Sequence, residues 1–560
     1  MSIQSGLIKI KSFLNNYVYV RIRVFIFGNY ESELNKLGKD INKIIFPHNE
    51  KPLKILIGPS FSIYPPVFTH DRLLSYSLKL NGANIIPIYC DGVQKVECNV
   101  YGGVWSKPDF ETNCKHCIKC SEHLWADSQS PAILLSNFLN ESDKEKVKDI
   151  VSGLKGDEWV CFTKSGMPFG YWAKDILVNN YVVGDHHLIP NHFNLGIAHL
   201  QNLLLLEIAY ENILLKIKPD RVISNDSYYG MWAILETLCK KNNIPFYSHW
   251  GPVNNGAWAY AFNDGAMNLD FSKPWQKFSK VQMNSAQVTK VQNWLDQRFL
   301  GKELLIDTAS SGGFKTEEFD INSIDFTKPT AMLAANVIWD LAALNKQIVF
   351  DDMIDWIAKT IIWFSDHPAY QLIIKPHPAE VHPSIPETKE RVEVALNLLG
   401  IPLPYNVILL SPKVNLTVYE ILPKLTVLLV HTTTVGLEAV ALGLPVITTA
   451  KSPYRGFGFT DDPKSPDEYY TALSKALSEH SIIVSAEKKE LAFKFILFYH
   501  FHYYTKINIL DYKWGSNVKT NIYSIKDLQK GENLQRDYII DSILKGLPIL
   551  SEDRWMPENP

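Results

Sequence analysis

No apolar run among the 560 residues reaches the ~18–20 residues that a membrane span needs. The amino terminus also lacks the shape of a signal peptide, because Lys9, Lys11, Arg21 and Arg23 interrupt its apolar residues. Both absences set the expectation of a cytoplasmic protein. Neither sign of charge is in large excess, the net value being −3, so nothing draws the whole chain to nucleic acid. There is no G-x-G-x-x-G fingerprint, no internal repeat and no low-complexity tract. What is present is the composition of a folded chain, 46% apolar and 21% charged, long enough for two large domains with extensions. Its 14 Trp and 26 Tyr suit large cores first and carbohydrate-stacking surfaces second.

Taken in order, residues 1–49 form an amino-terminal arm whose first 30 residues carry four basic side chains and no acid. The arm either packs on the fold or lies on the anionic inner face of the cytoplasmic membrane. Residues 50–265 read as a first Rossmann-like domain. Its first strand, 54–58, ends in Gly58-Pro59-Ser60; a helix follows at 71–80 and a second strand at 83–89. A second strand–helix–strand unit spans 220–249 and places Asp226 and His249 at carboxyl ends of strands, where cleft-facing groups belong in α/β sheets. The plainer roles are a helix cap for Asp226 and a hydrogen-bonded structural histidine for His249. An insertion at 90–125 holds five of the seven cysteines. Cys98, Cys114, Cys117 and Cys120 are a candidate structural zinc or iron–sulfur site, since clustered thiols in a reducing compartment point to metal. The alternative is free cysteines.

Residues 266–328 look like a linker region with one helix at 286–300 and a Ser310–Gly313 loop. Strands then alternate with helices over 329–480, which marks a second Rossmann-like domain. The handedness of parallel crossovers brings the loops at Asn336, His377 and Thr432 to one edge. The extension 481–560 carries an aromatic run, 498–504, in which His500 and His502 would share a strand face, and a last helix, 535–544, expected to pack back on the first domain.

The chemistry concentrates in two loops. Lys375 and His377, in Lys-Pro-His-Pro after a strand, can bind phosphate oxygens, and a histidine can protonate a departing phosphate. Thr432, Thr433 and Thr434 stand before a short helix, whose free N–H groups and positive dipole end favour an anion. Gly436 lets that helix start lie close to a ligand. Glu438 is placed to accept hydrogen bonds from a ribose or to stabilise the dipole. Arg455 offers another phosphate cation, and Tyr454 a platform for base or sugar.

Lys-Pro-His-Pro, the Thr-rich turn with Val-Gly-Leu-Glu-Ala and Gly-Leu-Pro-Val, and Pro-Tyr-Arg-Gly-Phe-Gly-Phe-Thr together resemble the bacterial capsule polysaccharide biosynthesis proteins, including their Kdo transferases. The resemblance covers about 330–470. It implies a GT-B fold of two Rossmann-like domains facing a cleft, with the acceptor mainly on the first and a nucleotide-sugar, CMP-linked by preference, on the second. It also implies that His377 meets the donor phosphate with help from Thr432 and Thr433, and that transfer requires no cofactor. The expected activity is transfer of a sugar such as Kdo to a lipid-linked or growing glycan, with Asp226 as the first-domain carboxylate. Alternatives are a CDP-glycerol-type polyol-phosphate transferase, a nucleotide-sugar epimerase and a non-catalytic glycan-binding or export protein.

Overall fold

The computed structural model describes residues 30–44, 51–94, 98, 102–106, 109–125, 132–226, 229–254, 256–267, 269–300, 316–340, 343–383, 385–478, 484–512 and 518–551. The expectations for residues 1–29 and for the Ser310–Gly313 loop lie outside these.

The architecture is GT-B-like: two α/β halves, each built on a largely or wholly parallel sheet. In the first half β1 (Lys54–Ile57), β2 (Asn84–Tyr89), β3 (Ile133–Leu134), β4 (Arg221–Asn225), β5 (Phe246–Asn254) and β6 (Ala257–Phe262) run in the order β3-β2-β1-β4-β5-β6. All neighbours are parallel except β5 and β6. In the second half β7 (Thr330–Ala334), β8 (Gln371–Lys375), β9 (Val407–Leu409), β10 (Val427–Val430) and β11 (Val446–Thr448) run β11-β10-β7-β8-β9, all parallel. In each sheet the strand order reverses beside the first strand, at β1/β4 and at β7/β10. Ligands of open α/β sheets bind outside the carboxyl ends at such points.

These strands are runs of apolar residues because both faces of each sheet are covered. Alternate side chains enter different cores, as a period of two requires. Leu56, Ile88 and Val222 join the core under the long helix His192–Ile217, whereas Ile55, Ile57 and Ile223 join the core under the helix Pro65–Leu80. Met332, Ala334, Ile373, Leu428 and Val430 likewise part from Ala331, Leu333, Leu372, Ile374 and Leu429.

The region expected to be a linker is in large part core. Its helices Ser272–Phe278 and Ser285–Phe299 bury Trp275, Phe278, Trp294 and Leu295 in the same cluster as Leu428 and Val430. The extension ties the halves together. The helix Ala486–Leu497 packs on the helix Val435–Leu442. β12 (Tyr504–Lys506) then adds antiparallel to β6, pairing Tyr504 with Ala259. Residues Phe498–Tyr503 form a π-helix rather than a strand, so His500 and His502 do not alternate across a sheet. His500 is buried with its ring 4.2 Å from that of Trp294, which is aromatic packing. The last helix, Leu534–Lys545, does pack on the first half, where the Tyr247 hydroxyl donates to the Ser542 and Leu547 carbonyls. Among the described residues no helix is long and apolar enough to cross a membrane.

Candidate active site

β7 sets the geometry of the second half's carboxyl edge. Ala334, its last residue, pairs with Lys375 on one side and Val430 on the other. The loops that follow these three strands therefore start at one level. The Asn336 side chain closes the β7/β10 switch point by accepting from the Thr432 N–H at 3.2 Å. Thr432 is buried, and its Oγ1 has no partner among the described residues. On the other side, Lys375 is half-buried and loses enough water for its ammonium to fall to about 8. Burial, and then the Lys375 charge, bring His377 down to about 4. His377 Nδ1 accepts the Ala379 N–H at 3.1 Å, which leaves Nε2–H as the donor of a neutral ring. This loop thus offers one cation and one neutral N–H donor in the ligand-free state, not two cations.

The helix start itself is more occupied than its sequence suggests. Thr434 precedes it without a side-chain cap. The Leu437 N–H turns back to the Thr434 carbonyl at 3.0 Å, and Thr433 Oγ1 is 3.5 Å from the Val435 nitrogen. Tyr454 takes much of the rest. It is fully buried, its hydroxyl donates to the Thr433 carbonyl at 2.7 Å, and the Gly436 N–H lies within hydrogen-bonding reach of that hydroxyl. Tyr454 therefore has no face to offer a base or sugar. Gly436 is needed for the tyrosine rather than for a ligand: a Cβ there would stand 2.2 Å from Tyr454 Oη. We expect Gly436→Ala to cost about 1–3 kcal/mol by overpacking. Because Tyr454→Phe removes the clashing oxygen, the two substitutions should couple in a double-mutant cycle of urea midpoints.

Two further expectations are corrected. Arg455 Nη1 donates to the Thr448 carbonyl at 2.7 Å and to Thr448 Oγ1 at 2.6 Å, and its Nη2 donates to the Pro463 carbonyl. It braces the 448–463 loop. Glu438 is fully buried. One oxygen accepts from Arg298 Nη2 at 2.9 Å and Nε at 3.2 Å, the other from the Tyr419 hydroxyl at 2.5 Å. Both oxygens are engaged within the protein, so a ribose would have to displace one of these donors.

Where the halves meet, a cavity of about 350 Å³ opens between the helices Phe169–Tyr181 and Gly230–Lys241 of the first and the loops at Asn345, Lys346 and Lys451 of the second. The second-half wall adjoins the threonine turn: His431 Nε2 is 3.4 Å from the Ala343 carbonyl, and the Lys451 N–H donates to the Lys346 carbonyl at 2.8 Å. Asp175 lines this cavity at 3% exposure. Its Oδ2 accepts from Asn345 Nδ2 at 2.6 Å, and Oδ1 has no partner among the described residues. Burial lifts its carboxyl to about 7, against the pull of Lys174 and Asn345. Burial and Lys451 bring Lys346 down to about 8, while Asp226 and Asp175 hold it up. A buried acid raised to about 7 and an amine lowered to about 8 in one interdomain cleft mark it as a candidate site. Lys375, His377 and Thr432 do not line this cavity. They lie along the edge beside it. A wider hollow of about 780 Å³, around Lys54 and Asn84, opens at the amino ends of β1 and β2, the wrong edge for a ligand in this fold.

Asp226 is buried at the end of β4 and accepts the Met267 N–H at 3.1 Å. It does not cap the following helix, which Tyr229 precedes without a side-chain cap. His249 is fully buried. Its Nε2 lies 2.7 Å from Asp71 Oδ1, which also meets His70 Nδ1 at 3.1 Å, while His70 Nε2 meets the Tyr260 hydroxyl at 2.6 Å. That network joins the helix Pro65–Leu80 to β5 and β6 and faces no cleft.

No family profile matches this chain, and no curated protein does. Solved structures similar to it include KpsC of Thermosulfurimonas dismutans, a beta Kdo 2,4 transferase, at 11% identity over 49% of this chain and 79% of that one, with a TM-score of 0.32. A KpsC described as a beta Kdo 2,7 transferase matches at 14% over 57% and 88%, TM-score 0.30. A UDP-GlcNAc 2-epimerase from Neisseria meningitidis, bound to UDP-GlcNAc, matches at 10% over 88% and 100%, TM-score 0.30. Capsule-type Kdo transferases, the family that the 330–470 motifs resemble, are thus among the structures this chain is similar to. At these identities and TM-scores the likeness carries no chemistry over to it.

The cysteines gather differently from the spacing-based expectation. Cys90, Cys98, Cys114 and Cys117 line one small apolar cavity with Phe61 and Ile63, whereas Cys120 lies outside it, 3.6 Å from His116 Nε2. Cys120 is six residues beyond Cys114 on the helix Phe110–Trp125, about 120° around its axis, and so turns away from the cavity that Cys114 and Cys117 face. Burial pushes the Cys90 thiol up to about 12 and raises Cys114 as well. The thiols are not among the groups of described residues whose ligand atoms lie within 4.8 Å of one another. Among the described residues, Cys98, Cys114, Cys117 and Cys120 do not converge as one set; three of them share the cavity with Cys90.

Proposed function

We propose that this chain is a glycosyltransferase of surface-polysaccharide assembly, moving a sugar from a CMP-linked donor to a hydroxyl of a glycan or lipid-linked acceptor. The observation that carries this reading is Asp175 in the cavity where the two halves meet, a buried acid whose Oδ1 has no partner among the described residues and whose carboxyl burial lifts to about 7. Asp175 accepts the acceptor's hydroxyl proton. The acceptor oxygen bonds to the anomeric carbon as the bond from that carbon to the phosphate oxygen breaks. The charge left on the phosphate meets Lys375, the His377 Nε2–H and the Thr432 hydroxyl. Lys346 holds the donor's or acceptor's acidic group at the cavity wall.

Calorimetry with CMP tests the donor half. Binding is expected, and His377→Ala should weaken it about tenfold or more, the loss of a hydrogen bond to a charged group. A bound phosphate raises the Lys375 ammonium from about 8 toward its ordinary range. Binding therefore takes up a proton above about pH 8, and affinity falls as pH rises from there. Buffers of different ionisation enthalpy should report that proton, and Lys375→Met should abolish its uptake. A donor screen of CMP-Kdo, CMP-sialic acid, CDP-glycerol and UDP-GlcNAc then decides the chemistry. CDP-glycerol consumption or acceptor-free isomerisation of UDP-GlcNAc would replace this reading, as would glycan binding without nucleotide binding.

A further inference from the structure

Away from the cleft, two 3-10 turns of the first half bring a carboxylate and two imidazoles together. Asp157 stands in the turn Gly156–Trp159, and His186 and His187 in the turn His186–Leu188. The two oxygens of Asp157 divide between the rings: His186 Nε2 is 3.2 Å from Oδ1 and His187 Nε2 is 2.8 Å from Oδ2. One ligand atom from each of the three residues lies within 4.8 Å of the others. Donors bound at ~2.0–2.2 Å around one transition-metal ion stand roughly 3–3.5 Å apart, so little movement is needed to receive one.

The hydrogen-bond geometry behind the rings points the same way. Asp185 Oδ1 accepts the His187 backbone N–H at 2.9 Å and lies 2.7 Å from His187 Nδ1. That fixes the ring hydrogen of a neutral His187 on Nδ1. Its Nε2 faces a carboxylate oxygen, so the two carboxylates frame a cationic position that either a protonated ring or a bound metal ion can fill. Carboxylate–imidazole–metal is the usual way such a ring is oriented. His186, half-buried and edge-on to Trp159 at 5.6 Å, supplies the second nitrogen toward the same carboxylate. The buried trio of His70, Asp71 and His249 differs: it is sealed in an aromatic core, out of reach of an entering ion.

We propose that Asp157, His186 and His187 bind a divalent first-row transition ion of the zinc class, with Asp185 orienting His187 from behind. Two imidazoles and one carboxylate suit that class and not Mg²⁺ or Ca²⁺, which take oxygen ligands. The site is placed to stiffen the junction of the halves. Its turn continues from residues 182–185, where Glu390 of the second half accepts the Gly184 and Asp185 N–H groups at 2.7 and 3.0 Å and the Lys389 N–H donates to the Val182 carbonyl at 3.1 Å.

The full chain, stripped with chelator and returned to chelator-free buffer, is titrated with Zn²⁺ by calorimetry and with Co²⁺ by absorption. One equivalent per chain is expected, giving d–d bands without the intense thiolate charge-transfer band and an upward shift of Tm. Asp157→Asn and His187→Gln, both at exposed positions, should each lower the affinity at least tenfold and remove the Tm shift. Asp185→Asn should weaken binding without abolishing it. Absence of binding, a thiolate band, or an equivalent that persists unchanged in Asp157→Asn and His187→Gln overturns the proposal. Mg²⁺ binding as tightly as Zn²⁺ overturns the ion class.

Discussion

Asp175→Asn is expected to lower kcat by about 10²–10⁴-fold, the span that a positioned general base contributes, while CMP affinity stays within about twofold. The separation follows from location. Asp175 lies in the cavity between the halves, whereas Lys375, His377 and Thr432 lie along the second sheet's edge beside it. Asparagine keeps the shape of the side chain and can still accept from Asn345 Nδ2, so the cavity should persist. The parent's kcat should rise with pH through about 7, where the Asp175 carboxyl ionises. The variant should lose that limb. Stability moves the other way. The carboxyl titrates at an ordinary 3.8 in the unfolded chain and at about 7 in the fold. The fold therefore holds the extra proton between these values, and stability declines as pH rises through that window. Asparagine carries no such charge, so at pH 8 the variant should unfold at higher urea than the parent. A loss of activity accompanied by a loss of stability would mean that Asp175 is a structural acid and would remove it from the mechanism. A group strained in the ground state and needed in catalysis is a common source of that trade-off.

The elements of this fold were legible wherever local pattern decided them. Apolar runs such as Lys54–Ile57 and Gln371–Lys375 announced parallel strands buried on both faces, and the alternation of helices with strands announced the two halves. The switch point at β7 and β10 was legible too, because the crossover rule brings Asn336 and Thr432 together, and they are hydrogen-bonded. What spacing could not show was tertiary. Asp175 sits in a helix whose buried face is otherwise apolar or neutral, through Phe169, Ala173, Ile176, Leu177 and Val178, and an acid in such company is the one signal that marks it. Its partner Asn345 is 170 residues away, on the other half. Tyr454 and Arg455 read as a ligand platform and a phosphate cation because they stand in a Gly- and Pro-containing loop after a strand. Yet tyrosine carries enough apolar area to be drawn into the core once its hydroxyl finds the Thr433 carbonyl. The cysteine spacing suggested a shared metal, but two successive i, i+3 steps carry Cys120 about 120° around the helix from Cys114, and the chain elsewhere brings Cys90 rather than Cys120 to the cluster.

Glu438→Ala should destabilise the protein by about 3–5 kcal/mol, the cost of leaving a buried charge without its partner. The sequence around Glu438, one turn into a helix that faces the edge of the sheet, suggests a ribose acceptor or a charge that stabilises the helix dipole. The structure instead gives it to Arg298, 140 residues earlier, and to Tyr419. Arg298 extends from the helix Ser285–Phe299, so this ion pair fastens that helix to the threonine-turn helix Val435–Leu442. The two functions separate cleanly. If Glu438 is a tie, the urea midpoint falls steeply in Glu438→Ala, and CMP affinity of the protein that remains folded changes little. Arg298→Met should produce a similar loss, and the double variant should be less destabilised than the sum of the two, since neither charge is then left alone in the core. If Glu438 is a ribose ligand, the midpoint holds while CMP affinity falls about tenfold or more, and Arg298→Met leaves that affinity untouched. The steep fall in stability is the result expected, because a carboxylate at 0% exposure with both oxygens engaged has nothing left to give a sugar without breaking the contact that holds its helix in place.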